Sequence, residues 1–417
     1  MIGALAAGLV LRLVFGLAYW VDKPLTLDER EYLLLARNVA TGNGFQYLLP
    51  DGAPAPGEHF GRAPLYPVFL AAVMRVSGAD ESPRLLQSVK IAQAFVGTLV
   101  VWIVAWLAFQ SAGPRAAAIA AWLAALYPPL AWMPAYILSE TLYSAIALGC
   151  VAILMPITGN PRPGRPAAEP SSRGRLAIAG LLAGLAILIR PAMLVFVFLA
   201  LPWLWWRKGL AAAALVAMAA AIVVAPWTAR NMAVHGRFVL VASEGGITFW
   251  TGNHPLASGD GDMAANPEIK RANVAFRAAH AGLSPEQLEP IYYRAAQAWI
   301  AANPGAEAAL IARKAFYTLV PIGPSYRLHS GRYFWSSVVA YLGVLPFAVA
   351  GLVRLVRQRR APAALLVLAV SSIVTGLVFF PQERFRIPVV DPALLVCAAC
   401  WWSAFRAPAG GPVEADR

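Results

Sequence analysis

Long apolar stretches alternate with short polar ones along most of this 417-residue chain. A helix that spans a bilayer needs about 20 consecutive apolar residues. Strong stretches of this kind lie at about 1–21, 84–109, 115–132, 136–156, 209–228, 333–353, 361–380 and 389–405. The pattern therefore predicts an all-α polytopic membrane protein.

Two further apolar stretches are ambiguous. Residues 176–206 are too long for one span, and Arg190-Pro191 interrupts them. Because proline disfavours helix at the preceding residue and an arginine inside the bilayer is costly, we expect two short helices that meet at a turn. Residues 64–77 are short for a span and contain two prolines and an arginine. This composition favours a juxtamembrane helix at the interface.

The basic residues favour one topology. With 176–206 as two helices and 64–77 on the outer surface, every dense basic cluster falls in a cytoplasmic loop, as the positive-inside rule requires. These clusters are Arg115; Arg162, Arg165, Arg173 and Arg175; Arg207 and Lys208; Arg354, Arg357, Arg359 and Arg360; and Arg406. We therefore expect about ten spans with both termini in the cytoplasm. The first segment has no basic n-region and no small-residue cleavage site before Asp22, which favours an uncleaved anchor.

This topology divides the chain into three parts. Residues 1–228 form an N-terminal transmembrane module that we expect to be catalytic, with a first outer loop at 22–83. Residues 229–332 are long enough for a small extracytoplasmic subdomain, with helix-start signals at Asn266-Pro267 and Ser284-Pro285. Residues 333–417 supply the C-terminal transmembrane helices.

Composition and charge agree with a membrane protein. With 59% hydrophobic and 13% charged residues, a soluble chain could not bury its apolar surface. A formal net charge of +13 would suggest nucleic acid in a soluble protein, but here the basic residues lie in short loops between apolar runs. We expect no nucleic-acid partner. Cys150, Cys397 and Cys400 lie in apolar stretches without metal-ligand spacing and are expected to be small buried hydrophobes.

The best clue to chemistry is the carboxylate pair Asp28-Glu29, just after the first span. A carboxylate at this boundary can take a proton from an acceptor while the membrane holds a lipid-borne substrate. No phosphate-cradling glycine loop is present, and nucleotide sugars are cytoplasmic, so a donor at the outer face would arrive on a lipid. Cations would then hold its phosphate. The outer-face candidates are Arg62, Arg190, Arg230, Arg384 and Arg386.

Structural interpretations of these residues stay open beside the functional ones. Asp28, with Glu31 three residues later, would make a good helix N-cap, which does not exclude catalysis. Arg62 and Arg230 are also typical of interfacial anchors at span ends. Glu140 lies at a span entrance, where a carboxylate is costly unless it is paired or used. The histidines share no metal spacing and are interpreted as loop residues.

Several motifs along the chain resemble one family. They are Asp28-Glu29-x-x-Tyr32, Arg62-Ala63-Pro64-Leu65-Tyr66-Pro67, Tyr136–Glu140 with Thr141-Leu142, Gly180–Pro191, Pro226–Asn231 with Gly245-Gly246-Ile247 and Trp250–Asn253, and Arg384–Pro388. Their order resembles that in the C-type (GT-C) polytopic membrane glycosyltransferases. The branch is that of the protein O-mannosyltransferases and the bacterial lipid A aminoarabinose transferases.

The resemblance implies transfer of a sugar from a polyprenyl-phosphate donor to a lipid or glycan acceptor of the cell envelope, at the outer face of a bacterial inner membrane. It implies Asp28 as general base, with Glu29 assisting or binding the sugar. No cofactor is implied; we expect no obligatory metal, and a divalent cation stays open. The implied substrate-binding residues are Tyr32, Arg62, Tyr66, Glu140, Arg190, Arg230, Asn253, Arg384 and Arg386.

The acceptor and the sugar are less constrained. Gly61-Arg62-Ala63 stands where the aminoarabinose branch has an acidic-basic pair, which weakens the case for a lipid A acceptor. The large luminal domain of the eukaryotic mannosyltransferases is absent from this sequence, so a protein acceptor is not supported. An aromatic platform of Tyr66, Trp250 and Tyr326 for sugar stacking is a further hypothesis.

Two other functions stay open. A polytopic transporter or lipid flippase would show paired broken helices and internal repeats, whereas this chain has one Arg-Pro break and no repeat. A polysaccharide ligase or polymerase would also be polytopic with a large outer loop. The acidic pair directly after the first span argues against it.

Overall fold

The computed structural model describes residues 1–21, 23–55, 59, 61–78, 83–158, 173–261, 263, 265–324 and 330–405. Helices dominate these ranges, which contain no β-strand, only an isolated bridge between Leu48 and Pro54. The predicted all-α fold is confirmed for the described part of the chain.

The helices follow one another with short connections. The first nine are α1 (Ile2–Val14), α2 (Leu27–Thr41), α3 (Leu65–Ser77), α4 (Pro83–Ala112), α5 (Pro114–Leu126), α6 (Pro128–Trp132), α7 (Glu140–Thr158), α8 (Arg173–Ile189) and α9 (Met193–Lys208). The others are α10 (Leu210–His235), α11 (Gly245–Gly252), α12 (Pro267–Ala278), α13 (Pro285–Ala302), α14 (Pro304–Leu319), α15 (Gly331–Arg357), α16 (Ala363–Val378), α17 (Glu383–Arg386) and α18 (Val390–Trp402). A π-helical turn, Phe15–Tyr19, extends α1.

The 30-residue helix α4 lies at the centre of the bundle, in contact with α1, α5, α7 and α18. Helices α8 and α10 approach closely because glycine occupies two successive turns of α8. A Cβ atom on Gly180 would lie 2.5 Å from the Val216 carbonyl oxygen, and one on Gly184 would lie 2.7 Å from that of Ala220. Small residues four apart are a common way to bring membrane helices together.

A buried arginine joins the first helix to the bundle. Arg12 donates hydrogen bonds to the carbonyl of Gly8 at 2.9 Å and to those of Ala124 and Ala125 at 3.2 and 3.3 Å. Because these carbonyls belong to α1 and α5, the guanidinium holds the two helices together. The hydrogen bonds also offset part of the cost of placing a charged side chain inside the bundle. The periodicity of the sequence gives no sign of this contact.

Some helices are long enough to cross a membrane alone. Within the described residues these are α4, α10, α15 and α1 with its π-helical turn; α5 and the segment Pro128–Ala135 form a fifth candidate, bent by 64°. The bend follows from Pro128-Pro129, since proline lacks the backbone N–H that would continue the helix. Helices α3, α7, α16 and α18 are shorter and apolar. The total of about ten spans therefore stays a prediction.

Several predicted segments can be compared with the helices. The predicted break at 190–191 is confirmed, because α8 ends at Ile189 and α9 begins at Met193. The stretch 136–156 becomes helical only at Glu140. The stretch 209–228 continues as one helix to His235.

The segment 229–332, which is predicted to lie outside the membrane, contains helices α11 to α14, which have hydrophobic clusters of their own. The largest of these consists of Ile247, Trp250, Leu288, Tyr292 and Ala296. Both helix-start predictions are confirmed: Asn266 caps α12, and Ser284 forms a capping box at the start of α13. The domain boundaries themselves stay predictions.

Candidate active site

The start of α2 fixes where the two adjacent carboxylates point. Thr26, and not Asp28, is the N-cap: its hydroxyl accepts from the Glu29 backbone N–H, and Glu29 accepts from the Thr26 N–H at 2.8 Å. The cap expected at Asp28 is therefore wrong, because the helix begins earlier. The other Glu29 oxygen accepts from the backbone N–H of Ile137 at 2.9 Å. Glu29 thus anchors α2 to the segment before α7.

Asp28 lies in the first turn of α2, between two arginines. Its Oδ1 accepts from Arg62 Nη2 at 2.8 Å, and its Oδ2 accepts from Arg384 Nη1 at 2.8 Å. The exposed fractions of these side chains are 25% for Asp28, 14% for Arg62 and 42% for Arg384. The three residues come from separate parts of the chain: Asp28 from α2, Arg62 from the loop before α3, and Arg384 from α17. We call Arg62 and Arg384 the arginine clamp of Asp28. Arg384, the more exposed of the two, forms the solvent-facing side of the clamp.

The clamp determines the protonation of Asp28. Burial alone would raise the Asp28 pKa, but the charges of Arg384 and Arg62 and their hydrogen bonds outweigh burial and hold this pKa well below its usual range. Asp28 is therefore ionised, which a general base requires. A carboxylate with such a low pKa is, however, a weak proton acceptor while both arginines remain bound.

Arg62 is surrounded by carboxylates. Besides Asp28, its Nε donates to Glu31 Oε2 at 2.9 Å and its Nη1 donates to Glu244 Oε2 at 2.8 Å. Glu31 also contacts His59 Nδ1 at 3.1 Å. Burial tends to lower the Arg62 pKa, but Glu244, Asp28 and neighbouring groups raise it well above its ordinary value. Its charge is therefore already balanced inside the protein.

A second ion pair lies beside the clamp. Arg190, in the turn between α8 and α9, donates from Nη1 to Glu140 Oε1 at 2.7 Å. The guanidinium carbons of Arg190 and Arg384 lie 4.8 and 5.3 Å from the centroid of the Phe385 ring. Both cations are within the range of cation–π attraction. Phe385 thus holds these two arginines at one place.

Two tyrosines pack against the charged cluster formed by Asp28, Arg62 and their ion-pair partners. The Tyr32 ring lies under Arg62, 5.3 Å from the guanidinium carbon, and packs edge-on against Tyr66 at 4.9 Å. Tyr66 is fully buried, and its hydroxyl donates to Gln93 at 3.0 Å. Trp250 is buried in the separate hydrophobic cluster formed by α11 and α13, and Tyr326 lies outside the described residues. Tyr66 and Trp250 therefore do not form the hypothesised stacking surface.

Three other predicted substrate-binding residues lie elsewhere. Arg230 donates to the Phe45 carbonyl at 3.2 Å and stacks on Trp227. Asn253 is buried and accepts from Lys314 Nζ at 2.6 Å. Arg386 is paired with Asp391 at 2.8 Å, deep among α15 and α18. Each fastens segments of the fold together.

Glu31 and Glu244 belong to the charged cluster around Arg62, but neither was among the site residues predicted from the sequence. Glu31 has a local signal, since it follows Asp28 by three residues and so shares its helix face. Glu244 has none, because its contact with Arg62 joins residues 182 apart in sequence. Among the described residues, no group of three or more His, Cys, Asp and Glu side chains is arranged to hold a metal ion. Metal independence stays a prediction.

Comparison with known proteins identifies similar structures. No family model matches the sequence, and no curated protein matches it. The archaeal oligosaccharyltransferase AglB from Archaeoglobus fulgidus, in complex with an inhibitory peptide and a dolichol-phosphate, aligns with a TM-score of 0.53 and 17% identity, over 96% of this chain and 50% of that one. A second structure from A. fulgidus, tethered with an acceptor peptide, gives 0.57 and 16%, over 96% and 49%.

A bacterial structure also aligns. ArnT from Cupriavidus metallidurans bound to undecaprenyl phosphate gives a TM-score of 0.45 at 14% identity, over 96% of this chain and 77% of that one. This chain spans about half the length of the archaeal structures it matches. At such identities the similarity concerns the fold alone.

Proposed function

We propose that this chain, which has the polytopic membrane fold of the C-type glycosyltransferases, transfers a sugar from a polyprenyl-phosphate donor to a lipid or glycan acceptor. The reaction takes place at the outer face of a bacterial inner membrane. The observation that carries the proposal is the ionised Asp28 held between Arg62 and Arg384 at the start of α2. One arrangement supplies both a base and cations for a phosphate leaving group.

The chemical step uses Asp28 as general base. Its Oδ2 accepts the proton of the acceptor hydroxyl while the acceptor oxygen attacks the anomeric carbon of the sugar. The bond between that carbon and the phosphate oxygen breaks, and its electron pair leaves with the polyprenyl phosphate. Because attack occurs opposite the leaving group, the anomeric configuration inverts. Cations near the departing oxygen stabilise the charge that develops there.

Arg384 is the cation best placed to receive the donor phosphate. Its side chain is the most exposed of the clamp, and it shares the Phe385 ring with Arg190. A phosphate bound between these arginines competes with Asp28 for the Arg384 guanidinium. Its arrival weakens the hold on Oδ2 and makes Asp28 a stronger base. The donor therefore activates the carboxylate that serves the acceptor.

Arg62 has a positioning role in this mechanism. Glu31 and Glu244 already balance its charge, so it is a poor partner for a further anion. It keeps Asp28 oriented through Oδ1 when Arg384 turns to the phosphate. Glu140 similarly fixes Arg190. Glu29 has a structural role, because both its oxygens accept hydrogen bonds from backbone N–H groups at the start of α2 and before α7.

The proposal is tested by measuring sugar transfer with the purified full chain. Synthetic polyprenyl phosphates that carry a radiolabelled pentose or hexose serve as donors, and envelope lipids and glycans from cells lacking the gene serve as acceptors. We expect label in the acceptor, an inverted anomeric configuration in the product, and release of polyprenyl phosphate in equal amount. Label that crosses a vesicle membrane on its intact carrier, with no transfer, would instead indicate a flippase.

A further inference from the structure

Glu244 covers one side of the Arg62 guanidinium. The Nε and Nη2 atoms of Arg62 bind Glu31 and Asp28. Its Nη1 atom donates to Glu244 Oε2 at 2.8 Å. Glu244 has the most exposed side chain of the three carboxylate partners, at 33% against 25% for Asp28 and 9% for Glu31. An anion that approaches Arg62 from solvent therefore meets the Glu244 carboxylate first.

The contact with Arg62 diverts Glu244 from a second position that its side chain could take. Glu244 is the N-cap of α11. A polar side chain at an N-cap commonly accepts a hydrogen bond from an N–H group of the first helical turn. In the described part of the chain the Glu244 side chain makes no such bond, since it points to Arg62 instead. The first N–H groups of α11 therefore need another acceptor.

That acceptor is Glu289 of α13. Its carboxylate accepts hydrogen bonds from the backbone N–H groups of Gly245 and Gly246, the first two residues of α11. A Cβ atom on Gly246 would overlap the backbone carbonyl of Glu289, so glycine permits this close approach. Burial raises the Glu289 pKa to about 7; the two N–H groups oppose this rise, and the charges of Glu286 and Glu244 add to it. Glu289 thus caps α11 from a different helix.

The residue before Glu244 fixes its backbone against the loop that carries Arg62. The Ser243 N–H donates to the Gly61 carbonyl at 3.0 Å, and the Gly61 N–H donates to Ser243 Oγ at 2.8 Å. Ser243 is fully buried. Consecutive residues of the two segments are therefore in contact, which places the Glu244 side chain beside Arg62.

We propose that Glu244 determines which arginine receives the donor phosphate, because it excludes the phosphate from Arg62 and leaves it to Arg384. Glu289 is a positioning residue in this arrangement: it caps α11 in place of Glu244 and so keeps the Glu244 carboxylate on Arg62. The inference rests on the proposed function and adds to it the selection of the phosphate site. A phosphate on Arg62 would leave Arg384 bound to Asp28, which then stays a weak base.

The test is equilibrium binding of radiolabelled polyprenyl phosphate to the purified full chain at pH 8, where Glu289 is ionised. In Glu244→Gln the Arg62 Nη1 atom loses its charged partner, and we expect polyprenyl phosphate to bind about five-fold tighter, the effect of one partly exposed ion pair. Glu289→Met has no acceptor for the α11 N–H groups, so Glu244 turns to cap them and the affinity should rise similarly. The double variant should bind no more tightly than Glu244→Gln alone, since both changes act on the same contact.

Two control variants separate this role from a loss of charge or of structure. Glu289→Gln keeps a side-chain oxygen that can cap α11, and Glu268→Gln removes an exposed carboxylate of α12. Both should bind polyprenyl phosphate with wild-type affinity, and thermal unfolding confirms that each variant is folded. Unchanged affinity in folded Glu244→Gln would overturn the inference. An equal gain of affinity in Glu289→Gln and Glu289→Met would overturn the capping role of Glu289.

Transfer kinetics supply a second readout, which a merely structural role would not produce. Phosphate bound at Arg62 forms an unproductive complex, so kcat and the KM for the donor should fall by the same factor in Glu244→Gln, with kcat/KM near its wild-type value. A raised KM would contradict the inference. If the wild type transfers no sugar but the phosphate affinities change as expected, the proposed function alone fails. If transfer occurs and the affinities do not change, only the inference about Glu244 fails.

Discussion

Arg384 is expected to hold two anions in turn, Asp28 in the free enzyme and the donor phosphate in the complex. The variant Arg384→Gln removes both interactions while keeping a hydrogen-bonding side chain of moderate size. Loss of one preorganised hydrogen-bond donor that stabilises a transition state commonly costs about 10²–10³-fold in kcat. Because 42% of the Arg384 side chain is exposed and water screens its charge, we expect about 100-fold.

The same variant has a characteristic pH dependence. Burial raises the Asp28 pKa, whereas Arg384 and Arg62 lower it below its usual range. Removing Arg384 therefore raises this pKa, and Asp28 is protonated over more of the acidic range. A protonated base is inactive, so the acidic limb of kcat/KM, which reports the free enzyme, moves to higher pH.

The wild-type enzyme provides an internal comparison. Because the donor phosphate draws Arg384 from Asp28, the acidic limb of kcat, which reports the donor complex, should lie at higher pH than that of kcat/KM. In Arg384→Gln the two limbs should coincide. Initial rates of transfer from a labelled donor across the acidic range measure both, with Arg294→Gln as the control. Limbs that coincide in the wild type, or an unchanged kcat/KM limb in the variant, would show that Arg384 does not control the pKa of Asp28.

Three further predictions concern the surrounding structure. Glu29→Gln should lower the free energy of unfolding by about 1 kcal/mol, because it weakens the charge-assisted hydrogen bonds from the backbone N–H groups of Thr26 and Ile137, with little change in the single-turnover rate; a large fall in that rate would instead make Glu29 catalytic. Burial lowers the Lys314 pKa to about 8, against the opposing effect of Glu307. Because the unfolded lysine keeps its proton to higher pH, stability should rise as pH increases above about 8, and Lys314→Met should abolish this rise in thermal unfolding. Gly184→Leu should push α8 away from α10, because a side chain at this position meets the α10 backbone, and should therefore reduce the monodisperse fraction in size-exclusion chromatography. The control Gly174→Leu, at a position with open surroundings, should leave this fraction unchanged.

Local features of the sequence predict much of the fold. The turn at Arg190-Pro191 and the helix starts at Asn266 and Ser284 depend on short-range backbone geometry, and the structure confirms them. The N-cap at Thr26 also has a local signal, since Thr26 and Glu29 have the spacing of a capping box. The alternative interpretation of Asp28 as the N-cap is wrong because α2 begins at Leu27, two residues earlier than a cap at Asp28 would require.

The partners in the cluster are harder to predict because they depend on tertiary structure. The ion pair between Asp28 and Arg384 joins residues 356 apart in sequence. No periodicity indicates that Arg384 contacts this carboxylate while Arg386 pairs with Asp391 inside the bundle. The predicted topology would place the candidate arginines on one membrane face, but only packing decides which of them meet.

The catalytic role of Asp28 is tested most directly by the single-turnover rate of sugar transfer in Asp28→Asn with donor already bound. Asparagine has nearly the same size as aspartate and cannot act as a base, so we expect this rate to fall by at least about 10³-fold, with donor binding and thermal unfolding little changed. Asp51→Asn, at an exposed position in the predicted first outer loop, is the matched control and should transfer at the wild-type rate. A single-turnover rate in Asp28→Asn within a few-fold of the wild type would contradict the assignment of Asp28 as the general base.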